Sequence, residues 1–324
     1  MNRYLINLSY IGTQFRGIQK SQLKGSVIED PHTVEGALEI ALKKLHPIND
    51  FKIKISSRTD AGVHALHNAI HVDLERHNGQ LYSEDTITRQ LNRSFKSQAL
   101  PVRILSTRLV PKSFSARLHA KSRTYIYRLG VLKPQFCDKP DAHPFNRFLP
   151  IEENDRCYFI AHPHFDIEKL KRVASIFVGY HDFRTFMAIS KGNPKQLEPS
   201  HTLRSIQSIT VERGTCMTLS FNRDLVEHFY DYWDIRIKGR SFLYKQVRRM
   251  VGAWIAVAEG RITERDAYEM LTVPSSHSWC EQSQVVPAYA LYLCQVEYDP
   301  ADLTIPLDEL PRPTSTKQTS ITTN

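Results

Sequence analysis

A chain of 324 residues, 41% hydrophobic and 24% charged, can bury a large core divided between adjoining domains. No apolar run approaches the length of a membrane span, and the opening MNRYLINLSY reads as a strand rather than a signal core or a basic leader, which predicts a soluble intracellular protein with no membrane partner. Lysine and arginine total 43 against 34 acids, a formal +9 that favours a polyanionic partner, and five scattered cysteines without a C-x-x-C pair argue against a disulfide framework or a thiolate zinc site.

Residues 3–11 alternate as a strand and run into the glycine-punctuated loop YIGTQFRGIQ. Val34, Ala37, Leu38, Ala41, Leu42 and Leu45 then recur at helical spacing. Strands over 51–56 and 68–74 flank the loop SSRTDAGVHAL, residues 56–66, in which Asp60 starts a turn and Gly62 supplies a positive φ. A helix at 84–95 and a strand near 102–110 complete an order β-α-β-β-α-β, that of a ferredoxin-like split unit.

The second half offers a comparable series with longer insertions. A strand over 123–132 leads into a polar, proline-rich loop at 133–165, and a helix over 166–179 follows. Strands are expected near 203–212, 215–221 and 231–238, helices at 241–259 and 263–272, and a last strand ending near 298. The fold class is therefore α+β: two ferredoxin-like, RRM-like α/β-sandwich units with mainly antiparallel sheets and a cleft between them. The expected divisions are an N-terminal domain over 1–110, a C-terminal domain over 111–299 and a disordered tail over 300–324, rich in Pro, Thr and Ser.

Three segments, RQLNRSFK (89–96), FSARLHAKSRTYIYR (114–128) and KGRSFLYKQVRR (238–249), interleave basic and aromatic residues, the mixture that backbone neutralisation plus base stacking requires. The histidines near the loop do not make a metal site: His67 and His71 share a strand face with Asp73, opposite Ile70, Val72 and Leu74, and a polar sheet face accounts for them. In SFLYKQVRRMVGAWIAVAEG, Arg248 shares a helix face with Tyr244, Val251 and Ile255, whereas Arg249 falls on an ordinary solvated face. A guanidinium in an apolar setting needs an anionic partner. If that partner is Asp60, the arginine keeps the carboxylate ionised by lowering its pKa and fixes its orientation.

The run SSRTDAGVHAL resembles the active-site motif R-T-D-x-G-V-H-A of the TruA-type tRNA pseudouridine synthases, and the likeness extends to about residue 298. YIGTQFRGIQ resembles the family's first-strand loop, FSARLHAKSRTYIY its F-x-A-R…R-x-Y-x-Y segment, and GYHDFRTF its G-x-H-D-F-x-x-F. GRSFLYKQVRRMVG resembles the helix that carries the aspartate's arginine, and VPAYALYL the closing A-P-x-x-G-L-x-L. The forms ISSRTDAGVHAL and SFLYKQVRRM look most like the animal branch called tRNA pseudouridine synthase-like.

Carried over residue by residue, the resemblance implies Asp60 as the catalytic carboxylate, Arg248 as its ionic partner and Tyr125 as the ring that stacks on the target base. It implies that Arg58 helps occupy the space of the extruded uridine, and that Phe114, Arg117 and His64 line the cleft. It further implies a tRNA substrate modified in the anticodon arm, a homodimer and no cofactor or metal, in the cytoplasm or in mitochondria. Two departures stand out: Ile18 where the family has a large aromatic, and Ala290 where it has glycine. Rival readings are a noncatalytic RNA-binding protein or tRNA chaperone on the same scaffold, and a hydrolase using Asp60 and His64.

Overall fold

The structure, a computed structural model, describes residues 1–20, 30–137, 149–188, 198–275 and 277–306. Among the described residues, ten strands run in chain order as β1 Asn2–Tyr10, β2 Lys54–Ile55, β3 His64–Leu74, β4 Val102–Val110, β5 Ser122–Leu132, β6 Tyr158–Ile160, β7 Gly179–Asp182, β8 Leu203–Arg213, β9 Tyr230–Gly239 and β10 Leu291–Glu297. The helices are α1 Val34–Lys43, α2 Glu84–Ser97, α3 Ile167–Ser175, α4 Pro199–Thr202, α5 Ser220–Phe229, α6 Gln246–Ala258 and α7 Glu264–Thr272. None of the helices among the described residues is long and apolar enough to cross a membrane.

The strands form a single mostly antiparallel sheet in the order β4-β1-β3-β10-β5-β9-β8-β7, with β2 beside β3 and β6 beside β5. The chain is thus α+β, and its two halves share one sheet. The seam is short and parallel: Tyr292 and Leu293 of β10 lie against His64 and Ala65 of β3, while the other side of β10 runs antiparallel to β5. Residues from the start of the sequence and from its last strand therefore meet at the root of the Asp60 loop.

Alternation explains the first strand. Tyr4, Ile6, Leu8 and Tyr10 face the helices and are almost wholly buried, while Leu5 faces a second small cluster with Ala69, Val110, Phe114 and Ala116. The helix α1 starts where the Thr33 hydroxyl accepts the Gly36 amide, and it buries Val34, Ala37, Leu38, Ala41 and Leu42 at the spacing read from the sequence. The helix α6 buries residues on every side, which marks a central rather than a surface helix. One continuous core joins α1 and α2 to α3, α6 and α7.

The structure corrects several expectations. The first hairpin strand shrinks to Lys54–Ile55, and β3 begins at His64, inside the motif. The supposed loop 133–165 contains the short strand β6. The strand expected at 215–221 does not form: the Thr215 carbonyl accepts from Arg128, the Met217 amide donates to the Glu153 carboxylate, and α5 follows. These side chains take the backbone groups that a sheet ladder would have used. The helix expected from 241 starts only at Gln246, because Lys245 adopts φ 58° and interrupts the backbone just before it. Of the expected tail, residues 300–303 form a 3-10 turn, and 307–324 lie outside the described residues.

Candidate active site

Asp60 sits in the loop between β2 and β3, on a turn closed by the Val63 amide donating to the Asp60 carbonyl at 3.2 Å. Gly62 takes φ 80°, as the loop reading required. The loop is held from beneath by the segment after β1. The Ile18 amide donates to the Thr59 carbonyl at 3.2 Å, and the Tyr10 hydroxyl meets Thr59 Oγ1 at 2.7 Å. Asn68 Nδ2 donates to the Tyr10 hydroxyl at 3.2 Å and to the Ser57 carbonyl at 2.9 Å. Gly17, at φ 111°, leaves room where a Cβ would come within 3.2 Å of the Thr59 carbonyl, so glycine is needed there twice over.

Arg248 arrives from the first turn of α6. Its Nε donates to the Val286 carbonyl at 2.8 Å, and its Nη1 reaches Asp60 Oδ2 at 3.4 Å. The two side chains keep 14% and 22% exposure, enough for a ligand to touch the carboxylate. Burial pushes the Asp60 carboxyl above its ordinary value, opposed by the charge and hydrogen bond of Arg248 and by Lys245. The net direction corrects the expectation of a lowered pKa: the arginine limits the shift without reversing it. Tyr125, on β5, is 7% exposed and lies near enough to feel the charges of Asp60 and Tyr10. Its ring meets Phe242 edge-on at 5.2 Å, and burial raises its phenol well above the usual range.

The other expected residues divide. Arg58 is exposed beside Asp60 and close enough for its charge to act on Glu35. Arg117 is also exposed. Phe114 is not a lining residue: it is 1% exposed, stacked on His119 at 5.4 Å and packed edge-on against Tyr298 at 5.2 Å. His64 is likewise internal, with 0% exposure. Its Nδ1 accepts the Gly12 amide at 3.0 Å, its Nε2 donates to the Asp155 carbonyl at 2.9 Å, and its ring lies 4.6 Å from that of Tyr292. Burial holds its pKa down, so it is a neutral tie between segments. With both nitrogens engaged and no surface, it cannot serve a hydrolase.

Arg249 is not on a solvated face. Its Nη1 donates to the carbonyls of Thr185 and Met187, and its guanidinium lies 4.2 Å from the centre of the Trp279 ring. Ile18 is 0% exposed, so the departure there is a matter of core packing. Tyr10, Asn68 and Lys245 escaped the sequence reading. A left-handed backbone in a residue other than glycine was the one local signal for Lys245, and it is not visible in residue type.

A family model described as tRNA pseudouridine synthase matches residues 173–299, the stretch that carries Arg248 and β10. The protein tRNA pseudouridine synthase-like 1 of Xenopus laevis is 33% identical over 302 residues, covering 93% of this chain and 93% of its own length. Its human counterpart is 32% identical over 297 residues, 91% of this chain and 90% of that protein. The tRNA pseudouridine synthase A of Brucella anthropi is 29% identical over 298 residues, 92% of this chain and 98% of that protein. A likeness of that extent spans both the Asp60 loop and the helix that brings Arg248 to it. The chain belongs to the TruA family of tRNA pseudouridine synthases.

Proposed function

We propose that the chain isomerises uridine to pseudouridine in tRNA, with Asp60 as the reacting carboxylate, Arg248 as the cation that orients it and Tyr125 as the ring that carries the target base. The observation that carries the reading is the 3.4 Å approach of Arg248 to a carboxylate that remains reachable from solvent. The reaction breaks the N1–C1′ bond of uridine, turns the base and joins C5 to C1′. It involves no net oxidation or reduction, and one carboxylate can serve it, either by attack on the nucleotide or by taking the 2′ proton. Both routes start from ionised Asp60.

The base must leave its stack to reach Asp60, at a cost of a few kcal/mol that stacking and phosphate contacts offset. Arg58 and Arg117 are both exposed; by likeness to the family, Arg58 takes the space left by the extruded uridine and Arg117 meets a backbone phosphate. By likeness to the family, the targets are uridines of the anticodon arm and the working unit is a homodimer; mitochondrial RNA is the main alternative substrate, with the compartment following the substrate. Two ferredoxin-like units, 1–110 and 111–299, with the site between them, agree with the β4-β1-β3-β2 neighbour order of the first half.

Tritium release from tRNA labelled with [5-³H]uridine tests the reading. The protein should release tritium, and Asp60→Asn should abolish release while tRNA binding persists. A variant that still isomerises uridine would remove Asp60 from the chemistry, and a wild-type protein that binds tRNA without release would leave an RNA-binding protein on this scaffold. Mapping pseudouridines in cells with and without the protein identifies the targets.

A further inference from the structure

Arg123 is a buried cation held without a carboxylate. It lies on β5 two residues before Tyr125 and is 8% exposed. Its Nε donates to Ser57 Oγ at 3.2 Å, and its Nη2 to the carbonyls of Ser56 at 3.2 Å and Arg117 at 3.1 Å. Its Nη1 donates to the Ala120 carbonyl at 3.4 Å and to the Arg240 carbonyl. All five donors of the guanidinium are thus engaged, each by a neutral oxygen. Burial lowers its pKa, and the charges of Arg117 and Arg240 add to that shift.

A charge buried without a counter-ion is costly, and an apolar side chain of the same length would fill the space. Packing therefore does not explain the arginine, whereas the identity of the acceptors does. Ser56 and Ser57 lead into the Asp60 loop. Arg117 and Ala120 bound the turn that presents the exposed Arg117 side chain. Arg240 opens the stretch between β9 and α6, which carries Phe242 against Tyr125 and continues to Arg248. One rigid, planar group thus fixes three segments to the strand of Tyr125.

We propose that Arg123 is a positioning residue for the isomerisation, setting the Asp60 loop in register with the strand of Tyr125 and the approach to Arg248 without itself touching the substrate. This rests on the assignment of Asp60 and Arg248 above. A displacement of about 1 Å at a reacting group is enough to lower turnover by about 10²-fold.

The test measures tritium release from [5-³H]uridine-labelled tRNA by the full chain. Arg123→Ala should lose about 10²-fold in kcat with KM for tRNA nearly unchanged. Millimolar guanidinium should restore part of that kcat and leave the wild type unaffected. Arg123→Lys, with a point charge in place of the planar fork, should stay impaired. Should Arg123→Ala not fold, Ser57→Ala removes one of the five bonds and should lower kcat severalfold in the same sense. The proposal is overturned by a folded Arg123→Ala with wild-type kcat, by a loss confined to KM, which would make Arg123 an RNA contact, or by full kcat in Ser57→Ala when Arg123→Ala is unfolded. Absence of tritium release from the wild type, or its persistence in Asp60→Asn, would instead strike the assigned reaction or its carboxylate.

Discussion

Asp60 and Arg248 are 188 residues apart in the chain and 3.4 Å apart in space. The contact is a single approach of one guanidinium nitrogen to one carboxylate oxygen, while the arginine's Nε is committed to the Val286 carbonyl at 2.8 Å. The closing segment anchors the arginine, which then faces the acid. Such a pair orients a carboxylate more than it neutralises it, which agrees with burial winning at Asp60.

The acid limb of the pH–rate profile should therefore lie above the ordinary carboxylate value. Arg248→Met removes the largest influence opposing burial and should move that limb to still higher pH, measured as kcat across the acid range. An unmoved limb would mean that another group controls it. For stability the sign reverses. A carboxylate with a raised folded pKa favours folding below its unfolded value, and that contribution is lost as pH rises through the folded value. Asp60→Asn should then raise Tm at neutral pH while abolishing activity.

Tyr125 is asked to supply a ring rather than a proton, since its phenol is held in the neutral form. Tyr125→Phe should retain most of kcat/KM. Tyr125→Leu should lose roughly 1–3 kcal/mol of transition-state stabilisation, the worth of one base–aromatic stack. Equal losses in the two variants would point to the hydroxyl.

Gly17→Ala should cost roughly 1 kcal/mol or more of stability, because alanine is strained at φ 111° and its Cβ meets the Thr59 carbonyl at 3.2 Å. The neighbouring Asp60 loop must shift to admit it, so kcat should fall along with the urea midpoint. A stable variant with full activity would show that the loop does not depend on that close approach.

Glu153 is 1% exposed and holds Arg128 through two contacts, at 2.6 and 3.1 Å. Glu153→Gln removes the nearer anion of that guanidinium, leaving Asp234 at 3.9 Å from its Nε, and should destabilise the chain by about 3 kcal/mol in urea unfolding. The folded fraction should keep its kcat, because the charges acting on Asp60 are those of Arg248 and Lys245, whereas this pair ties residues near 153 and 217 to β5.

The local periodic elements were legible in sequence: β1, α1, α2, β4 and β5 fall close to where alternation and helical spacing put them. Legibility failed where a distant side chain took over the backbone's hydrogen bonds. Residues 215–221 carry a strand's composition, yet Arg128 and Glu153 capture their polar groups. At the site, residue type and periodicity singled out Asp60 and Arg248 separately, and only the resemblance to the family's motifs joined them to each other and to Tyr125. None of these signals could tell which motif members face inward. Phe114 and His64 belong to the recognisable segments but hold the scaffold, and Arg249, one position from Arg248, points to Trp279. Neither the β3–β10 seam nor the five-way use of Arg123 leaves a periodic trace, because both depend on contacts between remote parts of the chain.

The place of β10 in the sheet has a consequence for biosynthesis. It is the last strand among the described residues, yet it lies between β3 and β5, so this sheet is complete only once residue 297 has cleared the ribosome. Until then His64 and Ala65 of β3 lack their neighbours on that side, so the parallel seam at the root of the Asp60 loop is the final part of the sheet to close.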